Sequence, residues 1–396
     1  MIKHQSGVSW VAAAWMAWSG CAGAAEWERQ FIITPQYRWF VNAPVHAGQG
    51  SGRASLALQA KLRRTWNDRR DSFDIIPFVR WDAGDAARSH FDVRDASWIH
   101  AGNGWESLLG ISKVFWGVTE SQHLVDIINQ TDLVESPAEE EKLGQPMIKL
   151  TGFGQYGALD LFLLYRFRER TFPGRKGRLR GPLPFDDLAA QIERRSSDLD
   201  FALRWSHPFG AFDVAVSPFS GTGREPELRT TVTGAAPYLF YPMIGQTGLE
   251  AQATLGPWLW KAEAIHRTGG GQNHNAAVAG FEYTRFGIAQ TAADLGLIGE
   301  YNYDSRGRSA STGLANDLFV ATRWSANDTH DTTALVGLMF GLDADGHFLT
   351  LDGSRRIKNH MRLRIEGRHF FDPDVQDIFF DWRNDSYLQV SLEIYF

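Results

Sequence analysis

The chain ends on a stretch, SYLQVSLEIYF, in which apolar and polar positions alternate strictly. One face of this stretch carries Leu388, Val390, Leu392, Ile394 and Phe396. A period of two is that of a β-strand, because successive side chains point to opposite faces of a sheet. A soluble sheet can carry the same pattern, so this segment alone leaves the class of protein open.

The same alternation recurs along the chain and predicts eighteen strands. Tight turns such as GNG, GQYG and HPFG alternate with long connections such as 118–145, 169–195 and 220–239. Short turns on one rim and long loops on the other are typical of outer-membrane barrels. We therefore predict an all-β fold, a transmembrane antiparallel up-and-down β-barrel of about 18 strands, with 16 strands as the next choice. The predicted strands lie near 27–42, 53–65, 72–82, 90–101, 105–116, 146–154, 157–168, 196–207, 210–219, 240–254, 257–268, 275–286, 290–303, 315–327, 330–342, 346–356, 359–370 and 385–396.

The N-terminal segment has the layout of a secretory signal peptide. Lys3 precedes an apolar run over 8–18, and small residues follow at 22–25. The run is shorter than the roughly 20 residues that a helix needs to cross a bilayer. We therefore expect residues 1–25 to be a signal peptide and residues 26–396 to form a single outer-membrane β-barrel domain.

Composition narrows the class of protein further. Cys21 is the only cysteine, and its place also suits a lipoprotein signal, although Trp18 departs from that pattern. The formal net charge of −6 at pH 7 gives no sign of a nucleic-acid partner. The chain has 15 Trp and 26 Phe but no later apolar run long enough for a membrane helix. This combination indicates a barrel in the bacterial outer membrane, in contact with the lipid bilayer.

Charged and apolar residues alternate within several predicted strands. In LGPWLWKAEAIHR, Lys261 and Glu263 share the face opposite Trp258 and Trp260. A charged side chain facing lipid at mid-bilayer costs about 2–4 kcal/mol, so the charged faces are expected to point inward. A salt-bridge network that fills the barrel is the alternative, although barrels of 16–18 strands are wide enough for an aqueous channel. The residues expected to line the lumen are Arg204, Lys261, Glu263, Glu282, Glu300, Arg323, Arg362, Arg364 and Glu366.

The terminal aromatic residue has a place in this architecture. The last predicted strand closes the barrel against the first, which puts Phe396 at the periplasmic interface. An aromatic-ended last strand resembles the signal that the barrel-assembly machinery reads. We therefore expect Phe396 to be the assembly signal and that machinery to be a partner.

Several motifs are more distinctive than the alternation. GISKVFWGVTESQHLVDIINQTDLVE begins at Gly110, GQPMIKL at Gly144, DLGLIGEYNYDSRG at Asp294 and NDLFVATRWSANDT at Asn316. Together they resemble a family of uncharacterised bacterial outer-membrane barrel proteins, described only as porin-like or as a domain of unknown function. The resemblance extends over most of the mature chain. It implies the barrel architecture and the location, and no established substrate.

The longest connection, Val118–Gln145, combines apolar residues with acids. A water-exposed loop gains little from an apolar cluster, so we expect this loop to fold against the inner wall and to bias the pore toward cations. Asp126, Asn129 and Asp132 have an alternative role as caps of a turn within the loop. The residues expected at the constriction are Trp116, Gly117, Asp126, Asn129 and Asp132.

The sequence holds little sign of catalytic chemistry. Its 12 His residues are scattered without HExxH spacing, so neither a metal nor a cofactor is expected. The leading interpretation is a channel for passive or weakly selective passage of small polar solutes. A plugged structural or surface-binding barrel is the alternative, and a barrel hydrolase comes third. The charged loop RERTFPGRKGRLRG is expected to be a solvated external loop, with lipopolysaccharide as a partner of this loop in the alternative interpretation. An oligomer is compatible with the sequence.

Overall fold

The structure, a computed structural model, describes residues 27–136, 140–193, 199–231, 236–343, 346–371, 373–375 and 377–396. The expected signal peptide, with Cys21, lies outside the described residues. No helix within the described ranges is long and apolar enough to span a membrane.

Over these ranges, eighteen strands form one antiparallel sheet. They are β1 (Trp27–Phe40), β2 (Gly52–Trp66), β3 (Asp71–Asp82), β4 (Phe91–Ala101), β5 (Trp105–Ser112), β6 (Gln145–Gly154), β7 (Gly157–Tyr165), β9 (Leu199–Phe209), β10 (Phe212–Thr222), β13 (Met243–Leu255), β14 (Trp258–Gly269), β15 (His274–Arg285), β16 (Asp294–Asp304), β17 (Asn316–Ser325), β18 (Thr333–Gly341), β19 (His347–Lys358), β20 (Met361–Phe371) and β21 (Tyr387–Tyr395). A separate small sheet combines β8 (Ala190–Ile192), β11 (Glu227–Thr230) and β12 (Pro237–Tyr241). Short 3-10 helices lie at Phe185–Asp187, Ile288–Gln290, Gly307–Ser309 and Ile378–Trp382.

The last strand closes the sheet into a barrel. β21 pairs antiparallel with β1, placing Ile394 opposite Ile33 and Ser391 opposite Gln36. The backbone of Phe396 extends this pairing, because its N–H donates to the Phe31 carbonyl at 2.9 Å and its carbonyl accepts from the Phe31 N–H at 3.1 Å. Each of the other barrel strands pairs with its sequence neighbours in the wall. The prediction of an up-and-down barrel of about 18 strands is confirmed.

The connections divide between the two rims. Tight turns such as 102–104, 155–156 and 256–257 lie on one rim, which is also where β1 begins and β21 ends. Long connections, including 113–144 and 166–189, lie on the other. Strands β5 and β7 end four and three residues earlier than predicted, at Ser112 and Tyr165. The chain leaves the wall there although the alternation continues, because the residues that follow make contacts within the barrel.

Alternation along each strand separates two chemically different faces. In β14, Trp260 on the outer face is 47% exposed, whereas Glu263 on the inner face is 1% exposed. The outer face of other strands also presents large apolar side chains, such as Leu249 and Tyr301. An apolar outer face and a polar inner face are the arrangement that a transmembrane barrel requires.

Candidate pore constriction

The segment between β5 and β6, residues 113–144, is called the inward loop below, and its described residues, 113–136 and 140–144, lie inside the barrel. Its described part contacts inward-facing side chains of β3, β14, β16 and β17, which belong to opposite parts of the wall. A connection held on both sides of a barrel crosses the bore. The inward loop therefore divides the lumen at its own level.

Glu263 on β14 holds the first bend of the inward loop. Its Oε1 accepts hydrogen bonds from the backbone N–H of Val118 at 2.7 Å, from the N–H of Thr119 at 3.0 Å and from the Thr119 hydroxyl at 2.6 Å. Its Oε2 accepts from the N–H of Val125 at 3.3 Å. A carboxylate that accepts several N–H bonds in a buried setting makes strong, charge-assisted contacts. Glu263 thus fixes the backbone of the loop rather than one side chain.

Gly117 makes this close approach possible. Its φ of +126° is a conformation that residues with a side chain rarely adopt. A Cβ at this position would lie 2.9 Å from Oε1 of Glu263 and 3.0 Å from Nδ1 of His123. Any other residue would therefore separate the loop from its anchor on the wall.

Glu300 on β16 provides a second anchor. Its carboxylate accepts from the N–H of Glu120 at 2.8 Å, and from the N–H and the hydroxyl of Ser121 at 2.7 Å each. The side chain of Glu120 in turn forms an ion pair with Arg323 on β17, with an N–O distance of 2.6 Å. The tip of the loop is therefore held by charged groups that belong to neighbouring strands.

Apolar packing fixes the middle of the inward loop. Val125 and Ile128 are fully buried, and Ile127 is almost so. The ring of Trp116 contacts the inward-facing Phe162 of β7 edge-on, with centroids 5.5 Å apart. These side chains form one hydrophobic cluster with residues on the inner wall, namely Leu108, Met147, Leu164, Ala202, Phe219, Ile244, Ile265 and Ala276. Burial of this cluster supplies the hydrophobic free energy that holds the loop in the lumen.

Asn129 and Asp126 connect the two ends of the inward loop. The Asn129 amide donates to the carbonyls of Ser112 at 2.9 Å and Leu143 at 2.8 Å, and its oxygen accepts from the N–H of Val114 at 2.8 Å. Asp126 accepts from the N–H of Trp116 at 3.3 Å, and its side chain is 1% exposed. The structure therefore places both side chains in the internal framework of the loop, where they do not face the bore.

Asp132 and Glu135 lie next to each other at the far side of the loop. Asp132, with a side chain 2% exposed, accepts from the Thr171 hydroxyl at 2.7 Å. Burial, with the neighbouring Glu135 charge, raises the pKa of Asp132 to about 6. Burial acts in the same direction on Glu135, but its contacts with Arg80 at 2.6 and 2.8 Å outweigh it and lower the pKa of Glu135 to about 2. Because their partners differ, the two acids lose their protons in different pH ranges: between about pH 2 and pH 6, Glu135 is ionised whereas Asp132 keeps its proton.

A second connection lies against the inward loop. The cover loop, residues 166–189, begins after β7 and reaches the β1 side of the barrel, where Arg178 forms an ion pair with Asp385. Near its start, Arg168 donates to the Gly144 carbonyl at 2.9 Å and pairs with Asp92 at 2.8 Å. Thr171 supplies the contact to Asp132 described above. The two loops therefore support each other at the long-loop rim.

All the residues predicted to line the lumen lie on inward faces of their strands, but they divide into groups. Glu263, Glu300 and Arg323 contact the inward loop. Lys261 and Arg323 both contact Glu282, at 3.7 and 3.4 Å, and Arg204 pairs with Glu250 at 2.9 Å. On β20, Arg364 pairs with Glu393 at 2.6 Å, Glu366 accepts from Gln389 at 2.9 Å, and Arg362 lies 3.5 Å from Asp331.

Sequence reasoning missed the arginines that bind the far side of the inward loop. Arg80 contacts Glu135, and Arg88 donates to the Val134 carbonyl at 2.8 Å. Arg80 alternates with Val79 and Trp81 in the stretch PFVRWD, and this pattern marks it as inward-facing. Arg88 lies in a connection without alternation, so its role depends on the tertiary structure.

The described residues bring no three His, Cys, Asp or Glu side chains into a geometry that could hold a metal ion. Within the described residues of the inward loop and the wall around it, the polar groups form ion pairs and hydrogen bonds. We assign none of these described groups to catalysis.

Comparison with solved structures identifies barrels of similar fold, whereas no protein-family model and no curated protein matches the sequence. OccK9 (OpdG) of Pseudomonas aeruginosa is similar with a TM-score of 0.54 and 12% identity, over 94% of this chain and 98% of that chain. A variant of the Rhodobacter blastica porin has a TM-score of 0.45 and 12% identity, over 94% of this chain and all of the porin. At these identities the likeness concerns the fold. The chain is thus a closed β-barrel of porin-like architecture, as its sequence motifs imply.

Proposed function

We propose that this protein is a channel of the bacterial outer membrane for passive or weakly selective passage of small polar solutes. The observation that carries the proposal is the inward loop, which Glu263 and Glu300 hold across the bore from β5. A segment placed in this way narrows a wide barrel without adding to its wall. Selectivity then depends on the width of the remaining opening and on the charges that border it.

Charged side chains near the opening remain accessible to water. The side chain of Arg323 is 33% exposed and that of Arg364 is 38% exposed, although both belong to the inner wall. On the loop, Glu140 is 69% exposed. These groups offer a hydrated, charged path past the loop, as a channel for polar solutes needs.

The inward loop also suggests a charge preference. We propose that its exposed acid Glu140, together with the partly buried Glu120 that pairs with Arg323, biases the channel toward cations or solutes with a positive group. Asp126, Asn129 and Asp132 contribute indirectly, because their buried contacts hold the loop in place. Trp116 and Gly117 act in the same way at the start of the loop.

Planar-bilayer recording tests the channel directly. Deletion of residues 119–123 removes the contacts of Thr119 with Glu263 and those of Glu120 and Ser121 with Glu300, so the conductance of a single barrel should rise. Shortening the periplasmic turn 286–293 is the matched control and should leave conductance unchanged. If neither the folded wild-type barrel nor the deletion variant conducts, the channel proposal fails.

A plugged barrel is the second candidate function. It is favoured by the cover loop, which packs against the inward loop and reaches Asp385 near β21. In that case the wild-type barrel would not conduct, whereas the 119–123 deletion would open it. A structural or surface-binding role would then replace transport, and the basic residues of the cover loop would be the place to test lipopolysaccharide binding.

The remaining partners follow from the proposed location. Residues 1–25 would direct the chain across the inner membrane, and Phe396 would present the assembly signal at the end of β21. Residues 26–396 would then insert as one barrel. We favour transport over hydrolysis, because the charged groups described around the inward loop are engaged in ion pairs and hydrogen bonds that hold the loop.

A further inference from the structure

A small cavity lies between the cover loop, which contributes Pro173, Arg178 and Leu179 to its lining, and the inward loop, which contributes Leu133 and Val134. It is bounded by the upper ends of β1 to β3 and has an accessible volume of about 20 Å³. This volume is about what one water-sized ligand requires. The charged groups that line it are Arg38, Arg53, Arg88, Arg178, Asp82 and Asp85.

Two arginines in this lining have buried N–H groups without an acceptor. Arg38 donates through Nε to Gln389 at 2.7 Å, but its Nη2 is buried and has no hydrogen-bond partner among the described residues. Arg53 donates through Nη2 to the Lys176 carbonyl, whereas its Nε is buried and lacks an acceptor in the described part of the chain. Both residues are 7% exposed. Buried donors of charged groups are costly to leave unpaired, so a ligand that accepts from both is expected.

The charges around the cavity do not balance. Arg88 pairs with Asp82 at 2.8 Å, and Arg178 pairs with Asp385. Asp85 then remains to balance both Arg38 and Arg53, and its oxygens already accept from the N–H groups of Gly174 and Ala87. With Asp385 counted beside the lining, four arginines and three aspartates therefore leave one positive charge in excess in a confined space, where an opposite charge is most favourable.

We propose that this cavity binds one small monovalent anion of the size of chloride. The anion would accept hydrogen bonds from Nη2 of Arg38 and Nε of Arg53 and would neutralise the excess charge. A water molecule can accept the same bonds but leaves the charge uncompensated. Sulfate and phosphate are too large for the cavity and carry more charge than it needs.

The bound anion would fasten the cover loop to the barrel wall. The loop lies directly on the cavity, because a Cβ at Gly174 or Gly177 would come within 2.6 or 2.4 Å of the Asp85 carboxylate oxygens. The carbonyl of Lys176, from the same loop, accepts from Arg53. The site does not depend on the proposed conductance, since it would stabilise the long-loop rim of an open or a plugged barrel alike.

Bromide, which can replace chloride and scatters X-rays anomalously, tests the site directly. Crystals of the full barrel grown in sodium bromide should show an anomalous peak within hydrogen-bond distance of Arg38 and Arg53. Crystals grown in sodium sulfate should show none there and should instead hold a water molecule. If the bromide crystals show no peak in the cavity, the proposal is wrong.

Thermal stability provides a second test that does not require crystals. The unfolding midpoint of the wild-type barrel should rise by about 2 °C or more as chloride replaces sulfate at constant ionic strength. Arg53→Met should abolish this chloride dependence. Arg63→Met, at the other end of β2 where Arg63 pairs with Asp74 at 2.6 Å, is the matched control and should retain it. A wild-type midpoint that does not depend on chloride would refute the site, as would an equal chloride response in both variants.

Discussion

Glu263 of β14 accepts a hydrogen bond from the backbone N–H of Val118 at 2.7 Å, across 145 positions of sequence. The contact joins the inward loop to a wall strand on the other side of the lumen. Because the acceptor is a buried carboxylate and the donor is a backbone N–H group, the contact fixes the path of the chain directly. Substitution of Glu263 therefore tests whether this contact keeps the inward loop in position and maintains the opening beside it.

Glu263→Ala should release the inward loop. The substitution leaves the buried N–H groups of Val118 and Thr119 without an acceptor, which costs about 1–3 kcal/mol of unfolding free energy for each group. We expect a less stable barrel with larger or fluctuating conductance, measured by urea unfolding and planar-bilayer recording. Glu393→Ala, which removes a wall acid that pairs with Arg364, is the control and should not change the fluctuations. Equal recordings from the two variants would contradict the anchoring role.

The exposed acid Glu140 and the buried acid Asp126 should differ in their effect on selectivity. Desolvation and the nearby Asp352 charge raise the pKa of Glu140 to about 7. At pH 8, Glu140→Gln therefore removes a charge that permeating ions can reach, and the reversal potential under a salt gradient should shift toward lower cation preference. Asp126→Asn keeps the shape of a side chain that is 1% exposed and should shift it little. A larger shift for Asp126→Asn would mean that the buried framework, rather than the exposed acid, sets the preference.

Replacing Asp132 and replacing Glu135 by their amides should change the stability of the barrel in opposite directions. The pKa of Asp132 is raised from 3.8 to about 6, so the folded state holds this proton more tightly, and stability falls as pH rises between these values. Asp132→Asn should therefore raise the unfolding free energy at pH 7 by about 1–3 kcal/mol, while retaining an acceptor for Thr171. The gain should disappear below pH 4, which denaturant unfolding at several pH values would reveal.

Glu135→Gln is the matched comparison. The pKa of Glu135 is lowered from 4.5 to about 2, so its contribution is present above pH 4.5 and is lost as pH falls toward 2. Glu135→Gln should therefore destabilise the barrel at pH 7, because Arg80 loses its charged partner. If both substitutions change stability in the same direction, the environment assigned to the pair is wrong.

The lipid-facing surface can be tested by placing a charge at two different depths in the bilayer. Leu249 lies midway along β13 on the outer face, whereas Leu255 ends the strand beside the turn at 256–257. Leu249→Arg should cost about 2–4 kcal/mol, and Leu255→Arg about 0–1 kcal/mol, because the cost of a charge declines toward the interface. Urea unfolding of the two variants in lipid vesicles measures both free-energy costs. Equal penalties would indicate that Leu249 is not at the bilayer centre.

The end of β21 should control assembly. Deletion of residues 394–396 removes the pairing of Ile394 with Ile33 and the two backbone bonds between Phe396 and Phe31. The amount of folded barrel in membrane fractions should fall, as shown by heat-modifiable gel mobility. Tyr395→Phe keeps the strand and its terminal residue and serves as the control. An unchanged yield of folded barrel after the deletion would contradict a role of Phe396 in assembly.

The sequence by itself determined the wall of this protein. A strand exposes alternate residues to lipid and lumen, so the requirement for an apolar or a polar side chain alternates from one residue to the next. This alternation can be recognised within a short stretch of sequence. The faces of β14, with Trp260 outside and Glu263 inside, could be assigned for that reason. The division of short and long connections between the rims, and the closure at Phe396, also followed from local signals.

The tertiary structure alone decided what lies within the barrel. Nothing in the residues around Glu263 distinguishes an acid that faces water from one that accepts bonds from the loop beginning at Val118. Asp126 and Asp132 are acidic residues of the same loop, yet their burial gives them structural contacts, whereas Glu140 remains exposed. Contacts across a lumen depend on which strands lie opposite each other after the barrel closes. No periodic pattern in the sequence indicates which strands these are.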